Sequence, residues 1–127
     1  MLDETAKLLA QDKNFAVFTT LMASGHPQSQ VMWVDADEDF VIINTEVHRQ
    51  KFRNIERDPR VTVTIIDGSN PYHYAEVRGR VVDTVRGPEA RAHIDALSQK
   101  YMGAPYGGEI VSERVILKIV PERSRTQ

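Results

Sequence analysis

Two strand-like runs, Asn14 to Met22 and Gln28 to Val34, are separated only by Ala23-Ser24-Gly25-His26-Pro27. A parallel pair would need a crossover of a dozen or more residues, so so short a connection makes the two runs antiparallel neighbours. The same economy recurs along the chain. An acidic loop, Asp35-Ala36-Asp37-Glu38-Asp39, leads into the apolar run Phe40-Val41-Ile42-Ile43. Val61-Thr62-Val63-Thr64-Ile65 alternates apolar with polar, as a half-buried strand does. Asp67-Gly68-Ser69-Asn70-Pro71 then breaks the chain before a long strand, which sets Ala75, Val77, Gly79 and Val81 on one face and Glu76, Arg78 and Arg80 on the other. Arg114 to Val120 is the last strand. Leu2, Ala6 and Leu9 follow helical spacing, so the first eleven or so residues read as an amphipathic helix. Gly87-Pro88-Glu89 opens another helix, whose apolar stripe is Ile94, Leu97 and Tyr101. Between them a basic helix is ended by Asp58-Pro59, and Gly103 to Gly108 forms a glycine-rich loop. The pattern predicts a mainly β fold, a six-stranded antiparallel barrel, closed or nearly so, with peripheral helices. Closure of that kind removes exposed sheet edges.

The chain's 127 residues and 14.4 kDa suffice for one domain, residues 1–127, around one modest core. It contains no cysteine, which excludes disulfides, thiolate catalysis and cysteine-ligated metals and fits a reducing cytoplasm. Met1-Leu2-Asp3-Glu4-Thr5 lacks the basic start and apolar run of a secretory signal, and no apolar stretch approaches membrane-spanning length. A cytoplasmic protein without a membrane role is expected. A formal net charge of −2 and a pI near 6.1 argue against a nucleic-acid binder. His26, His48, His73 and His93 show no metal-ligand spacing, so no metal site is expected. The phosphate signatures GxxxxGK[ST] and strand-linked GxGxxG are absent, and nothing in the spacing of Ser24, His26 and Asp35 favours a catalytic triad.

The chemistry concentrates in Asn44-Thr45-Glu46-Val47-His48-Arg49-Gln50-Lys51-Phe52-Arg53-Asn54-Ile55-Glu56-Arg57-Asp58-Pro59-Arg60. From His48 onward this stretch carries five Lys/Arg against two carboxylates, in a chain that is otherwise acidic. A strand that delivers cations and free amide groups to a helix start is suited to an anion, above all a phosphate. The Arg49 guanidinium offers a planar fork of donors and Lys51 a compact charge. On ideal helical spacing both flank the stripe of Phe52 and Ile55. Taken alone, the same charges also fit a solvated face with Glu46 and Glu56 as partners, each pair contributing ~0.2–0.5 kcal/mol. Asn44 and Thr45 end an apolar strand, so their side chains must meet water, a turn amide or a ligand. Gln28 and Gln30 share one face of the second strand and Ser29 takes the other. Trp33 reads as core or interface.

In order and spacing, several segments resemble the split β-barrel flavin/deazaflavin oxidoreductases, the superfamily that includes pyridoxamine phosphate oxidase, and most of all its branch that uses the deazaflavin coenzyme F420. They are Asn14-Phe15-Ala16-Val17-Phe18-Thr19-Thr20, Gly25-His26-Pro27-Gln28-Ser29, Arg49-Gln50-Lys51-Phe52-Arg53-Asn54-Ile55, Asp58-Pro59-Arg60-Val61, Ala75-Glu76-Val77-Arg78-Gly79-Arg80-Val81 and Arg114-Val115-Ile116-Leu117-Lys118-Ile119-Val120-Pro121. The resemblance covers nearly the whole chain. It implies a split, FMN-binding-like barrel working as a homodimer, with active sites built across the interface, where Trp33, Tyr72 or Tyr74 would come from the second chain. It implies that Arg49 and Lys51 hold the coenzyme phosphate, that Gln28, Ser29, Gln30, Asn44 and Thr45 lie along the ring, and that Arg53 and Asn54 complete the cofactor set. The implied reaction passes hydride from reduced F420 to a conjugated small molecule, with water or a nearby tyrosine such as Tyr74 as proton source. FMN is the alternative cofactor, for an oxidase or flavin reductase of the same fold, and a non-catalytic cofactor-binding protein is the alternative role.

Overall fold

The computed structural model describes all 127 residues, Met1 to Gln127. Its elements run α1 (Glu4–Gln11), β1 (Phe15–Leu21), β2 (Pro27–Met32), β3 (Asp35–Ala36), β4 (Val41–Glu46), α2 (Gln50–Arg57), β5 (Arg60–Ile66), β6 (Tyr74–Arg86), α3 (Pro88–Met102) and β7 (Arg114–Thr126). All seven strands join one antiparallel sheet in the order β2-β1-β5-β6-β7-β4-β3. The expected six strands become seven because the acidic loop contributes a two-residue pair, Asp35 with Ile42 and Ala36 with Val41. No ladder joins β2 to β3, so the curled sheet is split there rather than closed.

The hairpin read from the sequence forms as expected, with Ala16 opposite Met32 and Leu21 opposite Pro27. Its turn carries Gly25 at φ 87°, a left-handed conformation that favours glycine. The last strand outruns its expected end at Val120 by six residues, because β7 continues past Pro121 to pair with the first half of β6. Register shifts at Arg78/Gly79 and at Val81/Asp83 bend the two long strands, letting one sheet serve both halves of the barrel. Gly79 sits where they cross. A Cβ there would collide with the Val120 carbonyl.

Alternation fills the barrel. Phe18, Val41, Ile43, Val63, Ile65, Val77, Leu117 and Ile119 are all buried inside, joined by Leu2, Ala6, Leu9 and Ala10 of the α1 region and by Phe52 and Ile55 of α2. Each fully buried aliphatic or Phe side chain contributes about 1.5–3 kcal/mol relative to exposure. The Asp3 carboxylate caps α1 by accepting from the Ala6 amide at 3.1 Å. A second, smaller cluster gathers Ile94, Leu97 and Tyr101 of α3 against Trp33 and Tyr106. Lys100 fastens α3 to the remainder, its ammonium donating to the Ala10 carbonyl at the end of α1 and to the Val34 carbonyl, at 2.9 and 2.6 Å. Thus α3 covers the ends of β4 and β7 and leaves a cleft beside them.

Candidate functional site

β4 is apolar as far as Ile43, then turns polar with Asn44, Thr45 and Glu46, all buried. The chain passes through Val47 and His48 and enters α2 at Arg49, which caps the helix without a side-chain hydrogen bond. The first amides of a helix have no intrahelical acceptors, and no acidic residue occupies this first turn to meet them. A cleft of about 380 Å³ opens here. Its walls are Asn44, Thr45, Arg49 and Lys51 on one side, Gln30, Val31, Met32 and Trp33 on another, and Phe15, Ile94, Tyr106 and Arg114 around them.

Lys51 is the unusual residue. Its side chain is only 7% exposed, yet it makes neither a hydrogen bond nor an ion pair with the protein, and it lines the cleft. Burial, then the neighbouring charges of Arg49 and Arg114, push its ammonium down to about 8 from an ordinary 10.5. Arg49 is exposed and also lacks a protein anion. Arg114 is 8% exposed, with its Nε donating to Asn44 Oδ1 at 2.9 Å and its Nη1 3.5 Å from Glu46 Oε2. The Tyr106 ring lies against its guanidinium, 5.3 Å from the ring centre. Three cations thus meet one carboxylate, and that carboxylate is already committed. Glu46 Oε1 accepts from the Val111 and Ser112 amides, each at 2.8 Å. Burial would raise the Glu46 carboxyl, but those two amides and the Arg114 charge hold it below its usual value.

The residues expected at the site divide. Gln30, Asn44, Thr45, Arg49 and Lys51 line the cleft together. Gln28, although on the same strand face as Gln30, is drawn into a polar knot where Asn54 Nδ2 donates to its Oε1 at 3.2 Å and to Thr20 Oγ1 at 3.0 Å. Asn54 is therefore fully enclosed and tied to the hairpin. Ser29 points to the opposite face, where its hydroxyl pairs with Thr19 at 2.8 Å. Arg53 turns back along its own helix, donating to the His48 carbonyl and to Gln50 Oε1 at 2.8 and 2.7 Å.

The remaining residues singled out in the sequence have other partners in this chain. Glu46 does not partner the cations of a solvated helix face; it is buried and holds the start of β7. In this chain Tyr74 opens β6 beside Gln127, the residue its backbone amide and carbonyl bond, and the tyrosine that lines the cleft is Tyr106. Trp33 does stack, but on Tyr101 of its own chain, with ring centres 5.1 Å apart and planes 4° from parallel. Arg114 and Tyr106 line the cleft but carried no assigned role in the sequence. The available signal for Arg114 was a cation opening an otherwise apolar strand, the mirror of Asn44-Thr45 ending one.

Comparison with known proteins bears on this cleft. A family model described as pyridoxamine 5'-phosphate oxidase matches residues 2–127. A solved structure named F420 reductase superposes with a TM-score of 0.85 at 31% identity, covering 99% of this chain and 100% of that one. A conserved hypothetical protein from Mycobacterium tuberculosis follows at 0.74 and 24% identity, over 99% and 84% of the two chains. A putative pyridoxamine 5'-phosphate oxidase from Listeria innocua aligns at 0.69 and 22%, over 94% and 91%. The last two share the fold. No curated protein matches the chain by sequence.

Proposed function

The chain belongs to the pyridoxamine 5'-phosphate oxidase family, and on that footing we propose that it is an oxidoreductase that binds coenzyme F420 in the cleft beside α2 and reduces a conjugated small molecule. The fold is one that binds flavin-type cofactors, and the likeness to an F420 reductase favours the deazaflavin over FMN. The observation that carries the reading is Lys51. The Lys51 stem is buried while its ammonium opens only onto the cleft and has no protein partner, and an anion supplied from outside would complete it. The arrangement of donors suits a phosphate group: a compact cation in Lys51, a flexible fork in Arg49, a fixed fork in Arg114 and the open helix start.

When bound, the reduced deazaflavin supplies a hydride from its ring C5. The protein's part is to bind, align and exclude water. Lys51 and Arg49 anchor the phosphate, while Arg53, whose guanidinium is bonded to its own helix, stands outside the cleft and contacts only a tail that extends beyond it. Gln30 of β2 and Thr45 of β4, which both line the cleft, would hold the ring, and Gln28, Ser29 and Asn54 would act through the backbone they hold in place. The acceptor lies toward Phe15, Trp33 and Tyr106, an aromatic wall suited to a flat conjugated molecule. No acidic side chain lines the cleft, so Tyr106 or water returns the proton. The protein acts in the cytoplasm as a homodimer. Support for the dimer comes from Phe15 and Val31, which line the cleft yet are 52% and 69% exposed, apolar surface suited to a second chain.

Turnover tests the reading. Purified protein given reduced F420 and a small quinone or enone should reoxidise the cofactor at a rate proportional to enzyme, and much more slowly with reduced FMN. Binding without turnover of any acceptor would leave a cofactor-binding protein, and the reverse cofactor preference would make it an FMN enzyme. Sedimentation should give twice the 14.4 kDa chain mass; a single-chain mass would remove the dimer.

A further inference from the structure

Behind the cleft runs a chain of hydrogen bonds, buried at Asn44 and partly exposed at Asp35, that the proposed reaction does not use directly. Asp35 Oδ2 lies 3.2 Å from His93 Nε2, His93 Nδ1 lies 3.0 Å from Asn44 Nδ2, and Asn44 Oδ1 accepts from Arg114 Nε at 2.9 Å. Asn44 Nδ2 also donates to the Ala90 carbonyl at 3.0 Å. The chemistry of the outer partners settles every proton in between. A carbonyl can only accept and a guanidinium Nε–H can only donate, so the Asn44 amide has one permitted orientation. Its NH₂ group then faces His93, whose Nδ1 must be the bare acceptor nitrogen. The ring proton is on Nε2, where Asp35 accepts it. Burial would raise the Asp35 carboxyl, yet the bonds from His93 and the Ala36 amide carry it below its usual value, so the acceptor is charged. Lys100 is the other charge near this end, and Glu46 pairs Arg114 at the far end.

We infer that His93 is a positioning residue, locked as the Nε2–H tautomer, that fixes the Asn44 amide and through it the direction in which Arg114 presents its guanidinium to the cleft. Each link comes from a different element: β3, α3, β4 and β7. The relay therefore aligns the cleft only when the edge strand, the covering helix and the two central strands are all seated. Its functional consequence rests on the reading of the cleft as a cofactor site; its geometry does not.

The test follows both ends of the relay in ¹⁵N-labelled protein without cofactor. Long-range proton–nitrogen spectra should show His93 with a protonated Nε2 and a bare Nδ1 at neutral pH, and the Arg114 Nε–H should exchange slowly with water. His93→Phe should speed that exchange. His93→Asn, which keeps an acceptor near the Nδ1 position, should restore it. In an F420 titration His93→Phe should weaken binding about 10-fold or more, with His93→Asn close to wild type. The opposite tautomer, an Arg114 exchange rate indifferent to His93→Phe, or unchanged F420 affinity in that variant would each overturn the inference. Wild-type protein that binds no F420 would defeat the functional reading, while the spectra would still decide the relay.

Discussion

At the residue scale, Lys51 is where folding and binding pull in opposite directions. Replacing it with Met keeps the aliphatic stem packed and removes the desolvated charge, so the free protein should become no less stable and melt at the same temperature or higher. F420 binding should weaken by about 10- to 100-fold, the loss expected when a charge-assisted contact to an anion disappears. A thermal melt beside a binding titration checks both, and a large drop in melting temperature would mean that the ammonium has a structural partner after all. The sign of the pH dependence follows from the same residue. Because the free ammonium titrates at about 8, well below its ordinary 10.5, a bound phosphate must hold a proton that the free protein gives up above that pH. Affinity should therefore be flat below pH 8 and fall by up to about tenfold per pH unit above it. The stability of the free protein should move the other way, rising between about 8 and 10.5, where the unfolded chain still keeps the proton. Basic character at Arg49 and Lys51 was plain in the sequence because residue type declares charge. Burial was not, because it depends on β7 arriving across the sheet with Arg114.

At the scale of elements, the alternating strands were legible in sequence because side chains two apart share a face, and one buried face forces the register. Ala75, Val77, Gly79 and Val81 follow one face of β6 as expected, and Val61, Val63 and Ile65 meet them from β5. Two things stayed hidden. The ladder between Asp35-Ala36 and β4 is too short to leave any pattern, and the continuation of β7 beyond Pro121 depends on what β6 does opposite it. The crossing at Gly79 is the sharpest consequence of that pairing. Gly79→Ala would set a methyl against the Val120 carbonyl, a backbone atom that cannot swing aside. The variant should lose about 2 kcal/mol or more, measurable by denaturant unfolding. Loss of less than about 0.5 kcal/mol, the scatter of ordinary surface changes, would show that the two strands separate easily at this point. The site divides by the same logic. That Gln30, Asn44, Thr45, Arg49 and Lys51 line one cleft was legible because strand ends and a helix start announce themselves. Gln28 and Asn54, expected along the cofactor, bond each other, a pairing 26 residues apart that no local pattern records.

For the whole molecule, the split between β2 and β3 matters more than the barrel itself. A closed barrel of this size would fill its interior with side chains. Here the core does fill, and the cleft lies outside it, between β2, the end of β4, the start of α2 and the middle of α3. A cofactor site can then be built from charged and polar residues without emptying the core. Phe15 and Val31 leave apolar surface exposed along its wall. No helix is long and apolar enough to cross a membrane. What the cleft holds is best decided by titrating wild-type protein and the Arg49→Ala/Lys51→Ala variant side by side with F420 and FMN, following the fluorescence of each. Micromolar or tighter binding of F420 to the wild type is expected, with a weaker response to FMN and at least about 100-fold loss in a double variant that still folds. Equal F420 affinity in wild type and double variant would contradict it.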